Sequence, residues 1–264
     1  MDSDAQPASM TFWDHLDQLR SVLVKVIVVA VSFGIVAFLF KEELFNIVLA
    51  PKDNDFVTYS LLRRISDGAM TDFSVSLINT GLAEQFIIHM KTALCAGVLC
   101  ASPYILYQLF RFVSPALYQN EKQYARKLVF SGYAMFVIGV LVSYFLIFPL
   151  TFRFLGTYQV ADDVTNLISL ESYMSTLILM SLSMGIVFEM PIIIWLFGKM
   201  GIITPDFLRK YRKHAIVIIL IVAAIITPTS DIFTLLLVSL PMWLLYEFGI
   251  FLIRNKSDQS SQPQ

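Results

Sequence analysis

A few polar side chains set in a strongly apolar chain carry whatever chemistry this sequence can do. Glu189 falls inside the apolar run from Tyr173 to Phe197, where a charge at the centre of a membrane helix costs on the order of 2.5 to 3.5 kcal/mol. Its carboxyl therefore either stays protonated against a backbone carbonyl or forms the polar floor of a cavity that admits water. Lys91 lies nearer the edge of its run and can snorkel, and Glu247 falls near the end of the last run, at the interface. Glu121 beside Lys122 reads, taken alone, as an exposed loop acid of little energetic weight. Asp231 follows Thr227-Pro228-Thr229-Ser230 and reads, with Ser230, as a helix N-cap. His15, His89 and His214 are scattered over three regions, so no metal site is expected. Cys95 and Cys100 stand five residues apart in one run and point to different helix faces, which does not suit a mutual disulfide. No G-x-x-x-x-G-K-[ST], H-E-x-x-H or G-x-S-x-G pattern occurs. The chain is expected to be no enzyme and to need no cofactor, and its net charge of −1 gives no reason to expect a nucleic-acid partner.

The elements that must position these groups are membrane helices. Of the 264 residues 57% are hydrophobic and 15% charged, against roughly 25% charged in a soluble domain. The mean hydropathy of +0.70 is concentrated in runs at Val22 to Phe40, Phe86 to Phe110, Leu128 to Leu150, Tyr173 to Phe197, Ala215 to Thr227 and Ile232 to Ile253. An all-α polytopic membrane protein with six transmembrane helices is expected. The fifth run is the exception, because its roughly 13 residues reach only about 20 Å across a hydrocarbon layer of about 30 Å. It must thin the bilayer, stand upright or lean on neighbours.

Six passes place both termini on one side. The N-terminal segment, the 111–127 and 198–214 loops and the tail hold twelve Lys and Arg, whereas the opposite loops hold five, among eleven acids. That asymmetry puts both ends in the cytoplasm. The chain then divides into an amphipathic cytoplasmic segment over 1–21, a six-helix membrane bundle over 22–253 and a disordered cytoplasmic tail over 254–264. Residues 41–85 form an extracytoplasmic cap, too polar for a further span and too long for a turn, so that part of it folds over the membrane surface. No basic segment or small-residue cleavage site precedes the first run, which argues against a cleaved signal peptide. No period of 20 to 50 residues repeats and the halves do not mirror each other, which counts against an inverted-repeat transporter. Pro103, Pro191 and Pro241 each free the carbonyl four residues earlier, on Leu99, Val187 and Leu237. They read either as packed kinks or as a set of bends that together make a concave face.

Thr11-Phe12-Trp13-Asp14 opens a short helix by the capping-box pattern, with Phe12, Leu16, Leu19 and Leu23 on its apolar face and Asp14, Asp17 and Gln18 on the other. The next loop on the same side carries Ser114-Pro115-Ala116-Leu117-Tyr118-Gln119-Asn120-Glu121-Lys122. With Asp14-His15-Leu16-Asp17-Gln18-Leu19-Arg20, Leu106-Tyr107-Gln108, Phe148-Pro149-Leu150, Phe188-Glu189-Met190-Pro191, Thr227-Pro228-Thr229-Ser230-Asp231 and Tyr246-Glu247-Phe248-Gly249, in order along nearly the whole chain, the sequence resembles the TatC family of twin-arginine protein translocases.

The resemblance implies a concave TatC-like bundle in the cytoplasmic (inner) cell membrane. It implies a receptor that binds the twin-arginine signal peptides of folded cargo at its cytoplasmic face. It further implies work with TatA/TatB-like single-span subunits, with other copies of itself and with membrane lipid, driven by the transmembrane proton gradient. Paired guanidinium groups need carboxylates or carbonyls that accept in a fork. Glu121, with Lys122 beside it, matches the family's loop acid, and Glu189 and Asp231 match its intramembrane acid and its last extracytoplasmic acid. The family's second acid, in the N-terminal segment before Arg20, aligns with Gln18. An amide accepts hydrogen bonds but brings no counter-charge, so Asp17 or Asp14 substitutes for it or the signal binds more weakly; Asp17 is the favoured substitute.

Overall fold

The computed structural model describes the backbone of residues 12–65, 73, 75–113, 122–161, 166–229 and 231–260. With no water in a bilayer core, backbone N–H and C=O groups must pair within their own segment, and helices do this. The first, α1, runs from Phe12 to Leu39. The lead-in expected as a separate short helix is continuous with the first span, because no glycine or proline separates Trp13 from Ser32. Thr11, its expected cap, lies outside the described residues. Phe40, with φ −97° and ψ 53°, turns the chain into α2 (Lys41–Leu49). A 3₁₀ turn over Ala50–Lys52 and α3 (Val57–Ile65) follow.

The second span, α4 (Glu84–Val113), passes through Pro103 as one unbroken helix. Pro103 cannot donate to Leu99, and Ser102 Oγ donates to the Leu99 carbonyl instead, at 2.7 Å. The third span is α5 (Lys122–Val142), a π-helical turn over Ser143–Ile147, and α6 (Phe148–Thr157). The fourth run is two helices, α7 (Leu170–Val187) and α8 (Met190–Lys199), separated at Phe188 and Glu189 just before Pro191. After α9 (Pro205–Lys210), the fifth apolar helix α10 (Arg212–Ile226) has 15 residues and reaches about 22 Å, so its shortness is a feature of the fold. The last helix, α11, extends from Ile232 through Pro241 to Ser260. It continues helically into the tail expected to be without structure, since no glycine or proline interrupts 250–262. Among the described residues five stretches are long and apolar enough to cross a membrane, namely Leu16–Leu39, Glu84–Phe112, Leu128–Thr157, Leu170–Lys199 and Ile232–Ile253.

Small residues let α1 and α4 pack antiparallel at close range. A Cβ on Gly97 would stand 2.5 Å from Gly34 N and 2.7 Å from Gly34 Cα, and against the Ala30 carbonyl. This is the small-residue contact by which membrane helices gain dispersion energy.

The cap is pinned to the bundle by hydroxyls. Tyr59, 1% exposed, donates to the carbonyls of Pro51 at 2.9 Å and Pro149 at 3.0 Å. Tyr173 OH donates to Val48 O at 3.0 Å, and Tyr144 OH to Ile47 O at 2.5 Å. Pro149 has no N–H for the preceding turn, and the Phe145 carbonyl four residues earlier accepts Thr58 Oγ1. Beneath the cap, Tyr59 packs edge-on to Phe73 and Tyr173 edge-on to Phe148 and Phe152, each pair at 5.0 Å. Arg153 lies 5.2 Å from the Phe73 ring centre. The all-α expectation misses a two-stranded parallel pairing of β1 (Ser76–Ile78) with β2 (Leu167–Ser169).

Candidate functional site

At the end of the bundle away from the cap, the start of α1 lies against the end of α4. A groove of about 110 Å³ between them is lined by Gln18, Ser21, Val22 and Lys25 of α1 and by Gln108, Arg111 and Phe112 of α4. The spacing explains the lining. Gln18, Val22 and Lys25 fall at i, i+4 and i+7, and Gln108, Arg111 and Phe112 at i, i+3 and i+4, so each set shares one helix face. Gln108 is buried, and its Nε2 donates to Tyr104 OH at 2.6 Å, which fixes the amide on the groove wall. Neither Lys25 nor Arg111 has an acidic partner among the described residues.

The expected site residues separate on this geometry. Gln18 lines the groove, whereas Asp17 and Arg20 on the same helix are exposed and do not line it. The Asp14 side chain and all of Glu121 lie outside the described residues, and Lys122 is the first residue of α5 with its side chain outside them as well. Lys25 and Arg111 were missed in the sequence. The signal was present as the i+7 register from Gln18 and the i+3 register from Gln108, but nothing along the chain says that the two faces meet.

Glu189 occupies the break between α7 and α8 and is 7% exposed. Neither carboxylate oxygen has a hydrogen-bond partner among the described residues. Gly132 of α5 makes room for it: a Cβ there would stand 3.1 Å from Glu189 Oε2 and 2.9 Å from the Phe110 ring. Phe110 belongs to α4, between the groove residues Gln108 and Arg111, so the acid and the groove are joined through one helix.

Asp231 caps α11. Its Oδ1 accepts the Thr234 N–H at 2.7 Å and its Oδ2 accepts Thr229 Oγ1 at 2.6 Å. Partial burial pulls the other way, but these hydrogen bonds from Thr229 and Thr234 hold the carboxyl below the usual aspartate range. Lys91 Nζ pairs with Glu171 Oε1 at 3.1 Å and Arg212 with Glu247 Oε2 at 2.6 Å, so both outlying charges read from the sequence are paired.

Glu84 carries a role the sequence reading missed. Its carboxylate accepts from Gly81 N at 2.6 Å, Thr80 N at 3.0 Å, Thr80 Oγ1 at 3.1 Å and Glu171 N at 3.1 Å. One acid thus satisfies the turn entering α4 and an open N–H in the first turn of α7.

Residues 14–241 match the model of the family described as Sec-independent protein translocase protein (TatC). The Sec-independent protein translocase protein TatC of Blattabacterium sp. subsp. Periplaneta americana is 34% identical over 252 residues, covering 92% of this chain and 94% of the relative. That of Aquifex aeolicus is 35% identical over 247 residues, covering 92% and 94%, and that of Escherichia coli 31% over 245 residues, covering 91% and 86%. A crystal structure of the twin-arginine translocase receptor TatC superposes with a TM-score of 0.75 at 34% identity, over 92% of this chain and 99% of that one.

Proposed function

This chain belongs to the TatC family of Sec-independent protein translocases, and we propose that it binds twin-arginine signal peptides at the end of the bundle formed by the start of α1 and the end of α4. The observation that carries this reading is the groove lined by Gln18 of α1 and Gln108 of α4, with Glu121 following α4 in sequence. Amide carbonyls are planar acceptors for guanidinium N–H groups, and Asp17 and Glu121 supply negative charge close by in sequence. Arg20 and Lys122 sit beside these acceptors in sequence and set the local charge balance.

In this reading the chain crosses the inner cell membrane six times, with both termini in the cytoplasm, and α10 is its short fifth pass. The positive charge counted at that end supports the orientation. The apolar part of the signal then lies against the bundle near Glu189, whose buried oxygens lack a hydrogen-bond partner among the described residues. Single-span TatA/TatB-like subunits and further copies of the chain complete the machine, and the proton gradient drives it. Asp231 is held to capping α11 and contributes at the extracytoplasmic end.

Site-specific photocrosslinking from residues 17, 18 and 121 to a twin-arginine peptide tests the reading. Crosslinks are expected from 18 and 121, and they disappear when the two arginines of the peptide become lysines, because a point charge does not satisfy a forked acceptor. Equal crosslinking of both peptides would overturn the proposal. Asp17 is excluded as the substitute acid if Asp17→Asn leaves crosslinking and export unchanged while Glu121→Gln abolishes them.

A further inference from the structure

Among the described residues, the groove at the α1–α4 end carries two positive charges, and Gln18 and Gln108 supply its neutral acceptors. Among the described residues its ionisable lining groups are Lys25 and Arg111, and neither has an acidic partner there. Two cations brought to one small concavity repel each other, and the remaining polar lining is amide and hydroxyl, from Gln18, Gln108 and Ser21. Such a lining offers many N–H donors and calls for an anion.

Depth selects the kind of anion. Lys25 is the tenth residue of the stretch Leu16–Leu39, so its long stem must reach back toward the headgroups, and Arg111 is the penultimate residue of the stretch Glu84–Phe112. Both heads therefore stand at the level of lipid phosphates when the long stems reach outward. One turn deeper on the same face as Lys25, Val28 is exposed and apolar, a surface for an acyl chain. A basic pocket between two spans at the headgroup level is the arrangement that binds anionic lipid heads.

We propose that this groove binds the phosphate of an anionic phospholipid, held between Lys25 and Arg111 with the Gln18 and Gln108 amides at its rim. The phosphate neutralises the two cations. It also restores, beside Gln18, the negative charge that a carboxylate at that position would supply to a signal peptide; this last consequence rests on the receptor reading, whereas the lipid site does not.

The test uses the full chain, purified in neutral detergent, stripped of lipid, and followed by thermal unfolding in the absence of signal peptide. Phosphatidylglycerol is expected to raise the midpoint, and phosphatidylcholine of the same acyl chains to leave it unchanged. Each Lys or Arg at the headgroup contributes roughly a fivefold attraction to an anionic lipid, so K25Q/R111Q is expected to bind phosphatidylglycerol about thirtyfold more weakly. K25R/R111K is expected to retain binding. If K25Q/R111Q fails to fold, K25Q and R111Q singly are each expected to lose about fivefold. The proposal is overturned if phosphatidylcholine acts as well as phosphatidylglycerol, or if the glutamine variants bind as the parent does. It is also overturned if inorganic phosphate alone gives the full shift, or if a soluble glutamate-rich peptide binds the two cations in preference to lipid. Failure here leaves crosslinking from residue 18 to a signal peptide untouched, so the two readings fall separately.

Discussion

Gly97→Ala and Gly34→Ala are expected to change stability in opposite directions, although the two glycines face each other across one helix pair. Replacing glycine with alanine in a helix gains at most about 1 kcal/mol from propensity. At Gly34 the new Cβ meets the Ala93 carbonyl at 3.4 Å and Leu94 Cα at 3.5 Å, ordinary contact distances, so that gain is unopposed. At Gly97 the new Cβ falls 2.5 Å from Gly34 N and 2.7 Å from Gly34 Cα, and against the Ala30 carbonyl. All three obstacles are backbone, which no rotamer change can move. Restoring contact distance needs roughly 1 Å of separation between α1 and α4, enough to forfeit a quarter to a half of each neighbouring dispersion contact. Overpacking of this kind costs about 1–3 kcal/mol, which exceeds the propensity gain. The assay is unfolding of the detergent-solubilised chain followed by tryptophan fluorescence, with crosslinking from residue 18 as a second readout, since Gln18 of α1 and Gln108 of α4 line one groove between the same pair. Gly34→Ala should match or exceed the parent, and Gly97→Ala should lose both stability and crosslinking. A Gly97→Ala chain as stable as the parent would refute the packing argument.

Removing the Asp231 carboxylate by Asp231→Ala should cost about 1 kcal/mol of α11 stability. Because hydrogen bonding holds this carboxyl below its usual range, its contribution is complete above the unfolded value near pH 4 and fades as the pH falls through the lower folded value. Parent and variant should therefore converge only in acid, as read by midpoints compared from pH 7 to pH 3. Tyr59→Phe removes the one hydroxyl proton shared between the buried carbonyls of Pro51 in the cap and Pro149 in α6, and a loss of about 1–2 kcal/mol with faster proteolysis within 41–65 is expected. The Arg212–Glu247 pair is partly exposed, at 48% and 28%. A double-mutant cycle should give below about 1 kcal/mol and shrink further in high salt; a larger, salt-insensitive coupling would contradict the assignment.

Much of the fold was legible because a bilayer leaves few solutions. Long runs lacking charge must be helices, and the shortness of the fifth run follows from counting residues between Arg212 and Thr227. Proline was legible as an event but not as an outcome. Pro103 and Pro241 sit in unbroken helices while Pro191 follows a break, because the result depends on which nearby groups take over the freed carbonyl. Ser102 does so at Leu99, and Thr58, 87 residues away in sequence, does so at Phe145 ahead of Pro149. The cap resisted reading for the same reason: Tyr59 in the cap and Tyr144 and Tyr173 in apolar runs are unremarkable until acceptors arrive from distant segments.

By itself the sequence determined that this is a polytopic helical membrane protein, where its buried acid lies, and, through motifs spread over nearly its full length, its family. Those properties depend on composition, periodicity and local residue order, which a linear chain displays in full. Only the tertiary structure decided which face of α1 meets which face of α4. That meeting puts Gln18 rather than Asp17 in the groove and brings Lys25 and Arg111 together there, while the packing of α7 on α4 gives Glu84 an N–H to satisfy. Adjacent residues on a helix point about 100° apart, so a one-residue difference that is trivial along the chain selects a different partner once two helices pack.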